Sequence, residues 1–150
     1  MVVWRLTKRR YADLSGRGGE VADGRWHTRG RPVVYCAATA SLAVLEVRVH
    51  LDLLVTPSDY VLMEITMPET ITARTVSAAD LPTGWQSSDG EEICRRIGDA
   101  WLAADAQAIL IVPSALIAVE QNVLLNPRHP DAAQIPSPRI LPFLWDDRLL

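Results

Sequence analysis

The stretch RPVVYCAATASLAVLEVRVHL, residues 31–51, decides how the rest of the chain is read. Arg31-Pro32 closes the segment before it, and the apolar run Val33-Val34-Tyr35 reads as a buried strand. Thr39 stands where a hydroxyl can accept an orphan N–H of a first helical turn, so a helix is expected from Ala40 to about Leu51. Leu42, Leu45 and Val49 fall at helical spacing and are expected to face the core. Pro57 closes this strand–helix unit.

Upstream lies a glycine-rich stretch, Ser15-Gly16-Arg17-Gly18-Gly19 and then Asp23-Gly24, which reads as loop throughout. Loops this long in a compact domain are usually functional or disordered. Before it, Val2 to Leu6 is short, apolar and β-prone, a first strand. Downstream, Tyr60 to Met67 alternates in the strand manner, with Val61, Met63, Ile65 and Met67 on one face. Thr70 to Val76 reads as a further strand. Ser88-Asp89-Gly90-Glu91 has the capping-box spacing, so a helix is expected to begin there. Its apolar stripe is Ile93, Ile97, Ala100, Trp101 and Ala104, with Trp101 in the core. Ala108 to Val112 is an apolar strand stopped by Pro113-Ser114. Asn122 to Leu125 and Ile140 to Trp145 read as two more strands around a proline-rich loop. Strands mixed with two main helices, without regular βαβ alternation, give an α+β fold.

The chain has 150 residues, so one core and one domain over 1–150 are expected. Its 49% apolar and 22% charged residues are an ordinary globular balance. A formal charge of −3 argues against a general affinity for nucleic acid or anionic membrane. The cluster Lys8-Arg9-Arg10 is too short to change that and reads as a solvated loop. Cys36 and Cys94 form no CxxC pair, which fits a reducing cytoplasm better than a disulfide framework. No secretory leader is recognisable at the N-terminus, and no apolar run approaches the ~18 residues that cross a bilayer.

Known cofactor motifs are absent. The glycine stretch ends in no Gly-Lys-Ser/Thr and does not match the dinucleotide fingerprint. His27, His50 and His129 lack metal-ligand spacing, so no metal is expected. Ser114 has no nucleophile-elbow context. Three positions carry two readings each. Glu46 sits beside the helix's apolar stripe, either a carboxylate reaching water or pairing with Arg48 or His50, or a catalytic group. Arg25, at the exit of the glycine stretch, is a surface or ion-paired arginine, or a planar fork for phosphate. Tyr35 is a core aromatic or a stacking platform.

Gly24-Arg25-Trp26-His27, Gly30, Val33-Val34-Tyr35, Ala43-Val44-Leu45-Glu46 and His50 together resemble the signature of the RES-domain family. The resemblance continues in Trp4-Arg5, in Tyr11-Ala12-Asp13-Leu14-Ser15-Gly16 and in Val112-Pro113-Ser114-Ala115. It ends with Asn122 to Asn126-Pro127-Arg128-His129-Pro130 and Asp147-Arg148-Leu149. His27 stands where asparagine is frequent in that family. RES proteins are the toxins of bacterial RES–Xre toxin–antitoxin pairs, and their fold is similar to ADP-ribosyltransferase toxins.

The resemblance implies NAD⁺ as substrate, cleaved between nicotinamide and ribose. The arginine, glutamate and serine that name the family correspond to Arg25, Glu46 and Ser114, and its tyrosine to Tyr35. Arg25, Tyr35 and Ser114 are then expected to bind NAD⁺. Arg25 would hold the pyrophosphate, Tyr35 stack on nicotinamide, and Ser114 bond ribose or Glu46. Glu46 would stabilise the oxocarbenium-like ribose. The acceptor stays open between water, phosphate and a protein, an enzyme of nucleotide synthesis being one such target. A catalytically dead antitoxin-binding module is the reading of another class. The implied partner is an Xre-type antitoxin, with a toxin homodimer inside the complex and DNA binding left to the antitoxin.

Overall fold

The computed structural model describes Met1–Leu150. Seven strands form one sheet: β1 (Val2–Lys8), β2 (Val34–Ala37), β3 (Tyr60–Thr66), β4 (Ala73–Thr75), β5 (Ile109–Pro113), β6 (Gln121–Leu125) and β7 (Arg139–Pro142). Their order across the sheet is β4-β5-β6-β2-β1-β3-β7. Three helices accompany them: α1 (Gly18–Val21), α2 (Ala40–Arg48) and α3 (Glu91–Ala104). All strand pairs are antiparallel except β4 and β5, which run parallel because α3 lies in the connection between them. One mostly antiparallel sheet with two main helices is the α+β fold expected.

The sheet is weakly joined at one seam. β1 pairs with β3 along its whole length, from Val2↔Thr66 to Lys8↔Tyr60. With β2 it shares only the pair Trp4↔Ala37. Two blocks, β4-β5-β6-β2 and β1-β3-β7, are therefore joined by a single strand pair.

Period-two alternation sorts the core onto the two faces. Val3, Val34, Cys36, Met63, Ile65, Ile109, Val123 and Leu125 pack together on one face. On the other, Val33, Leu110, Val112 and Leu124 are covered by Cys94, Trp101 and Leu102 of α3, with Trp26 and Trp85 beside them. The expected β3 face, Val61, Met63, Ile65 and Met67, is fully buried. Trp101 is in the core, and its indole N–H donates to the Gln107 carbonyl at 2.8 Å.

The helices depart from expectation in instructive ways. Thr39 caps α2 by accepting the Leu42 N–H at 3.1 Å, but the helix ends at Arg48, not near Leu51. Leu42 and Ala43 enter the core with Leu6 and Ala37, whereas Leu45 is half-buried and Val49 is 53% exposed. The C-terminal half of α2 both packs on the sheet, with Val47 against the cluster of Leu6, Ala37 and Leu42, and walls an open cleft that Val47 and Val49 line. The capping box does not form. Residues Ser88–Gly90 make a 3-10 turn, and Gly90 precedes α3 with no side-chain cap. The stripe of α3 is Cys94, Gly98, Trp101 and Leu102, with Ile97 half-buried against the same core as expected, while Ile93, Ala100 and Ala104 are exposed. Gly98 sets this rotation, because a Cβ there would overlap the Trp26 carbonyl.

The glycine stretch is not all loop, since Gly18–Val21 makes one helical turn. β4 keeps only Ala73–Thr75 of the strand expected over 70–76. β7 stops at Pro142, and Trp145 instead meets Tyr60 and Phe143 edge to face. No helix is long and apolar enough to cross a membrane.

Candidate active site

A cleft of about 480 Å³ opens at the seam between β1 and β2. It is lined by Trp4, Arg5, Leu6 and Thr7 of β1 and by Tyr35, Cys36 and Ala37 of β2, strands that pair only once. The α2 residues Ala43, Glu46 and Val47 form another wall, and Asp23 to Trp26 a third. The volume lies within the ~300–1,000 Å³ usual for small-molecule sites.

Glu46, half-buried in the C-terminal half of α2, lines the cleft. Ser114, fully buried after β5, donates from Oγ to Glu46 Oε1 at 3.4 Å. The same Oγ accepts the N–H groups of Leu116 and Ile117, each at 3.1 Å. With two donors already fixed on its oxygen, Ser114 has its own proton left for Glu46. It does not line the cleft, so its place is behind the carboxylate. Of its two expected partners, ribose and Glu46, the structure supplies Glu46.

Tyr35 lines the cleft through its position on β2, and its hydroxyl is engaged by the glycine stretch. The Trp26 N–H donates to it at 3.1 Å, and His27 Nδ1 lies 2.8 Å away. Burial pushes the Tyr35 phenol well above its ordinary value. It is therefore no phenolate base.

Arg25 also lines the cleft, but its guanidinium is held by protein. Nη1 donates to the Trp85 and Ser87 carbonyls at 3.1 and 3.4 Å, and Nη2 to the Gln86 carbonyl at 3.0 Å. Glu91 lies 3.7 Å from it and also pairs with Arg95 at 2.8 Å. Arg95 donates to the Gly24 carbonyl, which ties α3 to the same loop.

Sequence reasoning gave no role to Arg5, Arg95, Asn122 or His27. Arg5 is an arginine inside an otherwise apolar strand, and that break in pattern was the available signal. It donates to the Asp13 carbonyl at 3.1 Å and forms no ion pair. Burial lowers its pKa, with Cys36 and the Asp13 carboxylate opposing. Arg5, Arg25 and Arg95 face the cleft together with Asp23, Glu46 and Glu91, so the lining is charge-balanced instead of uniformly basic.

The sequence matches the RES domain family over residues 2–146. A protein named Prs ADP-ribosylating toxin, from a Sphingobium species, is 35% identical over 140 residues, covering 92% of this chain and 87% of that protein. A Pseudomonas putida protein named Toxin Res is 41% identical over 156 residues and 99% of each chain. In the crystal structure of the M. tuberculosis MbcT–MbcA toxin–antitoxin complex, one chain matches with a TM-score of 0.71 at 20% identity, over 93% of this chain and 83% of that one. That likeness speaks to the fold. The family match spans nearly the whole chain, and it takes in every residue of the cleft: the protein belongs to the RES domain family.

Proposed function

We propose that this protein is the toxin of a toxin–antitoxin pair and cleaves NAD⁺ at the nicotinamide–ribose bond. The observation that carries the reading is Glu46. Its carboxylate, backed by Ser114, shares one cleft with a tyrosine ring and a half-buried arginine, Arg5, that forms no ion pair. In the reaction the C1′–N bond breaks, nicotinamide leaves with the bonding pair, and the ribose becomes oxocarbenium-like. Glu46 stabilises that cation and orients the group that attacks it. Arg5, charged and without an ion pair, suits the pyrophosphate, and Arg25 and Arg95 flank it. The Tyr35 ring suits the nicotinamide face. No metal takes part in this scheme.

The acceptor is water or inorganic phosphate in the first reading, giving ADP-ribose or its 1″-phosphate and depleting NAD⁺. Transfer to a protein is the second reading, favoured by the name of the Sphingobium relative, which describes ADP-ribosylation of Prs. An inactive binding module fits poorly with Arg25, Tyr35 and Glu46 gathered at one cleft with Ser114 behind. Purified protein incubated with NAD⁺, with and without phosphate and lysate, decides among these by product mass and by label on protein. Glu46→Gln should slow nicotinamide release by on the order of 10²-fold or more while the protein stays folded. Release at the wild-type rate would remove Glu46 from the chemistry.

The partner belongs to the same reading. An Xre-type antitoxin would neutralise the toxin by placing its C-terminal carboxylate at the cleft arginines, in a cytoplasmic complex built on a toxin homodimer. DNA binding would fall to the antitoxin, in keeping with this chain's negative charge. An antitoxin shortened by its last few residues should bind but not neutralise. Full neutralisation by the shortened form would place inhibition elsewhere.

A further inference from the structure

We infer that His27 is a positioning residue of the cleft. Its imidazole, with the proton on Nε2, holds the Tyr35 hydroxyl, and the glycine stretch is shaped to seat that ring. The inference rests on the NAD⁺ reading of the cleft for its consequence, but not for its geometry.

His27 is buried between the Gly19 backbone and the Tyr35 side chain. Its Nε2 lies 3.0 Å from the Gly19 carbonyl oxygen, and its Nδ1 lies 2.8 Å from the Tyr35 hydroxyl. A carbonyl oxygen only accepts, so Nε2 carries the proton and donates. In the neutral ring Nδ1 is then a bare acceptor, and Tyr35 O–H must be its donor. The Tyr35 oxygen in turn accepts the Trp26 N–H. The hydroxyl therefore spends its single proton on His27 and cannot offer it to a substrate without breaking that bond. Tyr35 presents a ring to the cleft, and its tilt is fixed from behind.

The glycines show that this seat is built. A Cβ on Gly19 would lie 3.0 Å from His27 Nε2 and 2.6 Å from the Arg31 carbonyl oxygen. A Cβ on Gly24 would lie 2.8 Å from His27 Nδ1 and would overlap the Tyr35 hydroxyl. One glycine thus stands at each ring nitrogen, and both are needed for the imidazole to bridge α1 and β2. Gly24 and His27 also close a tight antiparallel bridge, which aims the Trp26 N–H at Tyr35.

Two substitutions separate positioning from simple filling. An asparagine amide oxygen falls near the place of Nδ1, whereas a glutamine amide reaches the place of Nε2. His27→Asn should keep the bond to Tyr35 and hold kcat/KM for NAD⁺ cleavage within about threefold of wild type. His27→Gln should keep the contact with Gly19, lose Tyr35, and fall by about tenfold or more, the usual effect of leaving a buried polar group unpaired. Equal activities, or glutamine above asparagine, in proteins of wild-type circular dichroism would overturn the inference. A second measurement needs no turnover. In ¹⁵N-histidine-labelled protein, His27 should show a protonated Nε2 and a bare Nδ1, and Tyr35→Phe should shift the Nδ1 signal. A proton on Nδ1, or no response to Tyr35→Phe, sinks the inference even if NAD⁺ is cleaved. Should wild-type protein leave NAD⁺ intact, the catalytic reading fails, and the spectrum alone decides the pairing.

Discussion

Tyr35 enters the site as a ring in the cleft and as a hydroxyl tied to Trp26 and His27. The two parts fail separately. Tyr35→Ala removes the stacking surface, while Tyr35→Phe keeps it and leaves the Trp26 N–H and His27 Nδ1 without a partner. Each such buried group costs about 1–3 kcal/mol. Tyr35→Phe should therefore retain more nicotinamide release than Tyr35→Ala but melt below wild type. Phe and Ala equally inactive would make the hydroxyl the working part. Cys36 is the neighbouring case of burial deciding chemistry. Removal from water pushes its thiol up to about 12, against the pull of Arg5, although the residue borders the cleft. At pH 8 it is therefore a thiol and not a thiolate. Iodoacetamide should leave it unmodified in folded protein and alkylate it in urea, as mass spectrometry of the Cys36 peptide would show.

At the scale of elements, the joint between α3 and the Arg25 loop is made by a missing side chain. A Cβ at Gly98 would overlap the Trp26 carbonyl, which is backbone and cannot rotate away. Gly98→Ala gains about 1 kcal/mol of helix propensity, against an overpacking cost of about 1–3 kcal/mol. The backbone clash puts this site at the upper end, so a net loss of about 1–2 kcal/mol is expected. That amounts to a fall of about 2–4 °C in Tm per kcal/mol in a chain of this size. Because the displaced residue is Trp26, whose N–H holds Tyr35, activity should fall with it. An unchanged Tm would mean that α3 is not seated on this loop. This joint also shows where sequence reading stopped. Strands were legible because alternation in Val61–Met67 and apolar runs in Ile109–Val112 are local patterns. The α3 stripe was right at Ile97 and Trp101 and wrong at Ile93, Ala100 and Ala104, because the helix rotates to bring Gly98 against a foreign backbone, and nothing local announces that contact. Ser88 looked like a cap for the same reason, since its turn is set by Gly90 packing on Trp85. Arg25, Tyr35 and Glu46 could be chosen by resemblance, and the cleft that unites them follows from a gap in strand pairing. Arg5 and His27 received no role, since one arginine within a short strand and one histidine without metal-ligand spacing carry no local signal of what they will face.

Across the whole molecule, the cleft lies where two sheet blocks share one strand pair, and some groups lining it also tie neighbouring segments together. Arg25 is the clearest of these. Its guanidinium meets three successive backbone carbonyls, Trp85 to Ser87, and Glu91 of α3. It thereby fastens the connection that leads into α3 to the loop bearing Trp26 and His27. Glu46 has no such duty, since Ser114 is its hydrogen-bond partner and the Ser114 oxygen is otherwise satisfied. The two residues therefore separate stability from chemistry. Arg25→Ala should lower unfolding stability by on the order of 2 kcal/mol, because hydrogen bonds from a charged donor are worth about 1.5–3 kcal/mol each and partial exposure discounts them. Its loss of activity should follow in part from that loosening, and Arg25→Lys, with no planar fork to span three carbonyls, should recover little of either. Glu46→Gln should leave the unfolding free energy within about 1 kcal/mol of wild type and still abolish most turnover. Urea titrations read beside nicotinamide release on the same samples make the comparison. If Arg25→Ala kept wild-type stability and lost all activity, its bonds to residues 85–87 would be incidental, and the guanidinium would be free to serve the substrate alone.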